Sequence, residues 1–238
     1  MRERLEPAVA KWDPSVPELR VRGGQPIRAG KIVCLGQNYA AHAAEMGTPE
    51  SEVVFFLKPS SAIVHDGEPI VIPHGIGRVE HEVELAVVIG APARAVSPES
   101  AMDCVLGYAP FLDVTARDVQ TEAKKRGEPW TRGKSYDTFA PIGEVVPASG
   151  VMDPHALSLE LRVNDQIRQR GNTSAMRLRI PDAISRISKV MTLYPGDVVA
   201  TGTPAGVGPL HPGDLAVARI DLVGTLSCPV RAAPRQPL

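Results

Sequence analysis

The sequence predicts an α+β fold in which many short strands, joined by tight turns, outweigh a few short helices. Three observations point there. Proline and glycine number 23 and 21 among 238 residues, too many for long uninterrupted helices. Apolar residues come mostly in short runs bounded by turn residues. The tripeptide Pro-Gly-Asp occurs at 195–197 and again at 212–214, each time ahead of an apolar strand.

The elements follow in order. Residues 1–30, rich in Pro, Arg and Gly, are expected to form an N-terminal arm, with Trp12 and the alternating Leu19-Arg20-Val21-Arg22 in a small edge hairpin. Residues 31–238 form the main domain, long enough to bury one sizeable core. Residues 31–35 make a short apolar strand that runs into a small helix at 40–46. Strands are expected at 53–57, 62–64, 69–72 and 79–89. Ser97-Pro98-Glu99 opens a helix, with Ser as cap and Pro in the first turn. Residues 104–114 are a buried strand passing into a polar helix, and 124–138 a long irregular loop around Trp130. Asn164-Asp165 joins a hairpin of 157–163 and 166–169. Ile180-Pro181-Asp182 starts a helix with Ile184, Ile187 and Met191 on one face.

Charge is nearly balanced, 26 basic against 27 acidic side chains, without a long basic block, so nucleic acid is not an expected partner. Apolar runs fall short of the roughly 20 residues that span a bilayer. With no apolar signal core at the N-terminus, a cytoplasmic location is expected. Cys34, Cys104 and Cys228 are scattered in apolar contexts and read as reduced core residues.

The richest stretch is Val79-Glu80-His81-Glu82-Val83-Glu84-Leu85, continuing through apolar residues to Ile89. Strand alternation puts Glu80, Glu82 and Glu84 on one face and His81 on the other. Such a row is either a solvated face or an inward-facing set neutralised by a cation, and the apolar continuation favours burial and a cation. Asp113, at the end of a buried strand, completes a three-carboxylate set with Glu82 and Glu84, suited to Mg²⁺ or Mn²⁺; it could also cap the following helix. Helical spacing places Arg117 and Gln120 on one face nearby, where the guanidinium binds a substrate carboxylate or neutralises the ligands. His42 and Glu45 share a helix face, as an ordinary solvated pair or as a base oriented by a carboxylate on a mobile lid. Lys134 could steady an enolate or a carboxylate. The loop from Ala200 to Gly208 lacks the Gly-Lys-Ser/Thr ending of a phosphate loop, so nucleotide binding is disfavoured.

Six ordered blocks carry a resemblance: Gly36-Gln37-Asn38-Tyr39-Ala40-Ala41-His42, Phe56-Leu57-Lys58-Pro59, His81-Glu82-Val83-Glu84-Leu85-Ala86-Val87-Val88-Ile89-Gly90, Asp113-Val114-Thr115-Ala116-Arg117-Asp118, Lys134-Ser135-Tyr136-Asp137 and Thr201-Gly202-Thr203-Pro204-Ala205-Gly206-Val207-Gly208. Together they resemble the fumarylacetoacetate hydrolase family, in particular its compact single-domain acylpyruvase-like and oxaloacetate-handling members.

That resemblance implies a β-rich mixed β-sandwich roll with short peripheral helices, a homodimer, and 31–238 as the catalytic domain. It implies Mg²⁺, or Mn²⁺, on Glu82, Glu84 and Asp113, with His42, Glu45 and Lys134 as catalytic residues. Asn38, Lys58, Arg117, Gln120 and Thr203 fall on substrate-binding positions. The expected chemistry passes through a metal-stabilised enolate of a 2-oxo acid. Hydrolysis of acylpyruvate-type 2,4-dioxo acids to pyruvate and a carboxylic acid is the first expectation. Tautomerisation or isomerisation of a 2-oxo dicarboxylate, or decarboxylation of oxaloacetate, is the alternative. A non-catalytic metal-binding protein is the remote one. Two positions depart from the acylpyruvase-like pattern: Gln37 where Arg is frequent and His81 where Tyr is common.

Overall fold

The computed structural model describes residues 17–47 and 52–234. Trp12, part of the expected N-terminal hairpin, lies outside them. Residues from 17 on form a small hairpin of Glu18–Leu19 and Ile27–Arg28, held to the main body through the backbone of Val145.

Two sheets hold the core. The larger has six strands in the order Val146–Pro147, Val105–Leu112, Val83–Ile89, Val198–Ala200, Ile32–Gly36, Val54–Lys58. The second has five: Gln166–Asn172, Ser158–Val163, Leu215–Ile220, Gly224–Ala232, Ile70–Ile72. Their facing side chains, among them Leu85, Val87, Leu159, Leu161, Ala216 and Leu226, share one buried cluster. The opposite face of the larger sheet is covered too, with Ile32, Cys34, Ala86, Val88 and Ala200 packed against Leu19, Ala140 and Ile142. Burial on both faces explains why Val83–Ile89 loses its polar alternation. Within the larger sheet, Val198–Ala200 lies parallel to Ile32–Gly36 and antiparallel to Val83–Ile89.

Among the described residues, five short α-helices complete the strand-rich α+β fold that the sequence predicts. Ile180–Val190 carries Pro in its first turn and buries Ile180, Ala183, Ile184 and Ile187 on one face. Each large aliphatic side chain so buried stabilises the docking by roughly 1.5–3 kcal/mol. Asn164 and Asp165 take left-handed φ angles of 51° and 63°, the turn the Asn-Asp pair predicts. Both Pro-Gly-Asp turns precede strands, and all three cysteines are buried and unpaired.

Two expectations are corrected. The 79–89 segment is two strands. Val79–His81 belongs to a separate three-stranded sheet with Thr115–Ala116 and Gly208–Pro209, and Val83–Ile89 to the larger one. The chain breaks at Glu82, where pairing passes from one sheet to the other. The 124–138 segment is helical in part: Arg117–Arg126 continues to Gly127, whose φ of 67° closes it, and Thr131–Lys134 forms a further turn.

Candidate active site

The break at Glu82 builds the site. Val83 pairs with Leu112, so Glu82 and Asp113 leave neighbouring antiparallel strands side by side, and the Asp113 amide donates to the Glu82 carbonyl at 2.9 Å. Glu84 stands two residues further along the same strand. All three carboxylates are buried, and one oxygen from each lies within 4.8 Å of the others. Asp113 caps no helix: the N-cap of Arg117–Arg126 is Ala116, and the Asp113 carboxylate turns inward to two lysines.

The surrounding charges are tightly shared. Lys134 Nζ donates to Glu82 (2.7 Å), Asp113 (2.6 Å) and Thr115 Oγ1 (2.7 Å). Arg117 pairs with Glu80 and Glu82 and donates to Gln120 Oε1 at 2.6 Å. Of the two roles open to Arg117, the geometry is that of neutralising carboxylates. Glu80 is drawn off by Arg117 and Arg78 and stays outside the triad.

Burial alone pushes the Glu82 carboxyl up, but Lys134 and Arg117 outweigh it and hold it well below the usual range. Burial, with Asp113 and Glu82 as like-charged neighbours, pushes Glu84 well above it. Lys134 is raised: burial pulls it down, while Asp113 and Glu82 more than compensate.

A divalent cation fits this arrangement on two observations. Asp113 Oδ1 is 2.8 Å from Lys58 Nζ, yet that ammonium gives its three protons to the carbonyls of Val114 (2.9 Å), Lys134 (2.6 Å) and Phe139 (2.7 Å). Asp113 Oδ1 is thus buried without a hydrogen bond. Among the described residues, Glu84 has only the Gly202 amide, at 2.7 Å, as a hydrogen-bond donor. Hard carboxylate oxygens with spare lone pairs, close together, are what Mg²⁺ or Mn²⁺ takes.

A cleft opens over the triad. It is lined by His42, Arg117, Gln120, Lys134 and Thr203, all expected site residues, and by Gln37, Met46, Phe56, Lys124 and Trp130. His42 Nδ1 is 3.1 Å from Glu45 Oε2, and the Gly206 amide donates to Glu45 at 3.0 Å. The Ala40–Glu45 helix has more to pack with than its alanines suggest, since Ala43 is fully buried. Gly206 at φ 97° and Gly202 at φ 89° have no room for a side chain: an added Cβ would meet Arg168 O at 2.4 Å and Asn38 Cβ at 2.8 Å.

Asn38 and Lys58 stand elsewhere than their expected roles suggest. Asn38 is spent inside, donating to Leu178 O and Thr201 O and accepting from Leu178 N. Lys58 sits behind the triad with its protons on three carbonyls. Neither lines the cleft.

Gln169 was not singled out by sequence. It is buried, and its Oε1 accepts from Val83 N and pairs with His81 Nδ1, the residues on either side of Glu82. Its Nε2 donates to Thr203 Oγ1 and Pro204 O. One amide therefore fixes both the strand break and the loop that borders the cleft. Because the Gln169 oxygen is the acceptor, His81 carries its proton on Nδ1, and burial pushes its pKa down. The available signal was alternation: Gln169 lies between exposed Arg168 and Arg170 and points the other way.

Residues 31–231 match the family described as fumarylacetoacetate (FAA) hydrolase C-terminal. The chain belongs to the fumarylacetoacetate hydrolase family. Within it, the mitochondrial oxaloacetate tautomerase FAHD1 of Bos taurus is 52% identical over 184 residues, 77% of this chain and 83% of that protein. Its Arabidopsis thaliana namesake is 51% identical over 191 residues, 80% of this chain and 86% of that protein. Among solved structures, fumarylpyruvate hydrolase from Pseudomonas aeruginosa, in complex with Mn²⁺ and pyruvate, superposes with a TM-score of 0.89 at 35% identity. That match covers 94% of this chain and 99% of the other. The 5-carboxymethyl-2-hydroxymuconate delta-isomerase of Mycobacterium smegmatis gives 0.79 at 43% identity, covering 88% and 82%. The family's relatives are thus enzymes named as hydrolase, isomerase and tautomerase. Among the described residues, no helix is long and apolar enough to cross a membrane.

Proposed function

We propose that this chain is a Mg²⁺- or Mn²⁺-dependent enzyme that interconverts the keto and enol forms of a 2-oxo dicarboxylate such as oxaloacetate. The observation that carries the reading is that one cleft is lined both by the buried triad of Glu82, Glu84 and Asp113 and by His42, which is paired with Glu45. When bound, the cation supplies a Lewis acid that draws electron density from the 2-oxo group.

The chain's own residues do the rest. Lys134, its three protons committed to Glu82, Asp113 and Thr115, is a fixed positive charge beside the developing enolate oxygen. The Glu45 oxygen beside Nδ1 keeps the His42 proton there and leaves Nε2 to carry a proton between C3 and the 2-oxo oxygen, so that the C3–H bond of the keto form is exchanged for the O–H bond of the enol and back. Gly206 holds Glu45 in place for that task. Relatives near 50% identity named as oxaloacetate tautomerases support this net reaction.

Hydrolysis of an acylpyruvate to pyruvate and a carboxylic acid is the second reading, favoured by the same His42–Glu45 pair, which would take a proton from an attacking water instead. The deciding experiment follows the enol absorbance of oxaloacetate and, in parallel, pyruvate release from acetylpyruvate, each with Mg²⁺ or Mn²⁺ and with chelator. Metal-dependent enol loss above the spontaneous rate supports tautomerisation. Pyruvate release without enol loss moves the assignment to hydrolysis, and neither signal sinks both. A homodimer remains the assembly proposed with this reading, and a particle mass in solution tests it.

A further inference from the structure

Three cations line the cleft apart from His42, and two are already engaged. Arg117 is divided among Glu80, Glu82 and Gln120. Lys134 is divided among Glu82, Asp113 and Thr115. Lys124 is different. Among the described residues its ammonium has no carboxylate partner: of the two acids on the same helix, Glu122 is taken by Lys125 at 3.0 Å and Arg126 at 3.8 Å, and Asp118 accepts from the Arg78 amide at 2.9 Å.

Lys124 is nonetheless held in place. Its Nζ lies 4.6 Å from the centroid of the Trp130 ring. Trp130 in turn packs at 55° against Phe56, with 5.5 Å between ring centroids. The Trp130 ring also presses on Gly36, where an added Cβ would come within 3.2 Å of it. On the other side of this aromatic pair, Lys134 Nζ is 4.9 Å from the Phe56 centroid. The two lysines therefore bracket a rigid apolar wall, one at the triad and one at the rim. Partial burial, and after it Arg117 close by, lowers the Lys124 pKa.

We infer that Lys124 is the subsite for a second substrate carboxylate, so that the cleft selects 2-oxo dicarboxylates over 2-oxo monocarboxylates. The inference rests on reading the cleft as a 2-oxo acid site. A substrate whose 2-oxo acid end lies at the triad runs its carbon chain along Phe56 and Trp130 and presents its far carboxylate to Lys124. The uncommitted ammonium then gains the charge-assisted partner that the fold does not supply.

Calorimetry on the Mn²⁺-loaded protein tests this with two stable probes, pyruvate and 2-oxoglutarate, in wild type, Lys124→Met and Lys124→Arg. Wild type is expected to bind 2-oxoglutarate more tightly than pyruvate. Lys124→Met keeps the apolar stem on Trp130 and is expected to weaken 2-oxoglutarate by about tenfold or more while leaving pyruvate within about twofold; Lys124→Arg keeps most of the preference. Equal weakening of both ligands would assign Lys124 a merely structural role and overturn the inference, as would no change in either or no dicarboxylate preference in wild type. Oxaloacetate enol exchange on the same samples separates the two levels. Absent exchange with an intact Lys124-dependent preference removes the proposed reaction and leaves the subsite standing.

Discussion

At the floor of the cleft both cationic side chains are engaged: Lys134 serves Glu82, Asp113 and Thr115, and Arg117 serves Glu80, Glu82 and Gln120. At the rim the bonds are few. The His42 imidazole has Glu45 as its one hydrogen-bond partner among the described residues, and Lys124 rests on Trp130. The floor is cross-linked by charge and fixes where an enolate can be stabilised. The rim keeps side-chain donors and acceptors less engaged, and in the proposed function these select the substrate and move the proton.

The largest test of that division is Glu82→Gln. It removes one ligand oxygen and a partner of both Lys134 and Arg117. Metal binding by calorimetry and every turnover assay should fail together, by on the order of a thousandfold or more. Activity retained at saturating Mg²⁺ or Mn²⁺ would break the contrast. His42→Ala should separate the two regions: turnover falls by about 10²–10⁴-fold, while Mn²⁺ affinity stays unchanged. A loss of metal affinity in that variant would mean that floor and rim are one unit.

Gln169→Leu probes the joint between them. It leaves the Val83 amide without its acceptor and Thr203 and Pro204 without their donor, so we expect a loss of about 1–3 kcal/mol in chemical denaturation. Turnover should drop by about 10–100-fold, as for an outer residue that orients a ligand. A stability loss with unchanged kinetics would confine Gln169 to packing.

The smallest effect lies far from the cleft, on the second sheet. Glu160 is held below its ordinary value by hydrogen bonds from Arg170 and Arg162. A depressed folded-state value contributes stability that is present above the unfolded pKa, near 4.5, and is lost as pH falls through the folded one. For so exposed a group the contribution is no more than about 1 kcal/mol. Glu160→Gln should therefore lower stability slightly at neutral pH and hardly at all in strong acid, as measured by urea unfolding at the two pH values.

Much of this was legible in the sequence because the relevant signals are local. Two glutamates spaced by two with an aspartate ending the next buried strand, a His and a Glu three apart, an Asn-Asp turn and a Pro in a first helical turn each declare their geometry within a few residues. The rest depends on distant partners. Nothing near Glu82 announces the strand break, which is set by Gln169 from a hairpin far along the chain and by pairing with Thr115 and Pro209. Alternation alone kept Glu80 with the other glutamates, and only the position of Arg117 takes it away. Lys58 and Asn38 fell in family motifs, yet motif membership did not distinguish a side chain that meets substrate from one that holds the backbone behind the site.

The placement of Val198–Ala200 has a consequence for how the molecule is made. This strand occupies the middle of the larger sheet, between segments that the ribosome delivers more than a hundred residues earlier. Until it arrives, Ile32–Gly36 and Val83–Ile89 have no neighbour to join them, and their apolar edges stay open. The sheet therefore closes only once Val198–Ala200 has been made, a long-range pairing of the kind that slows folding.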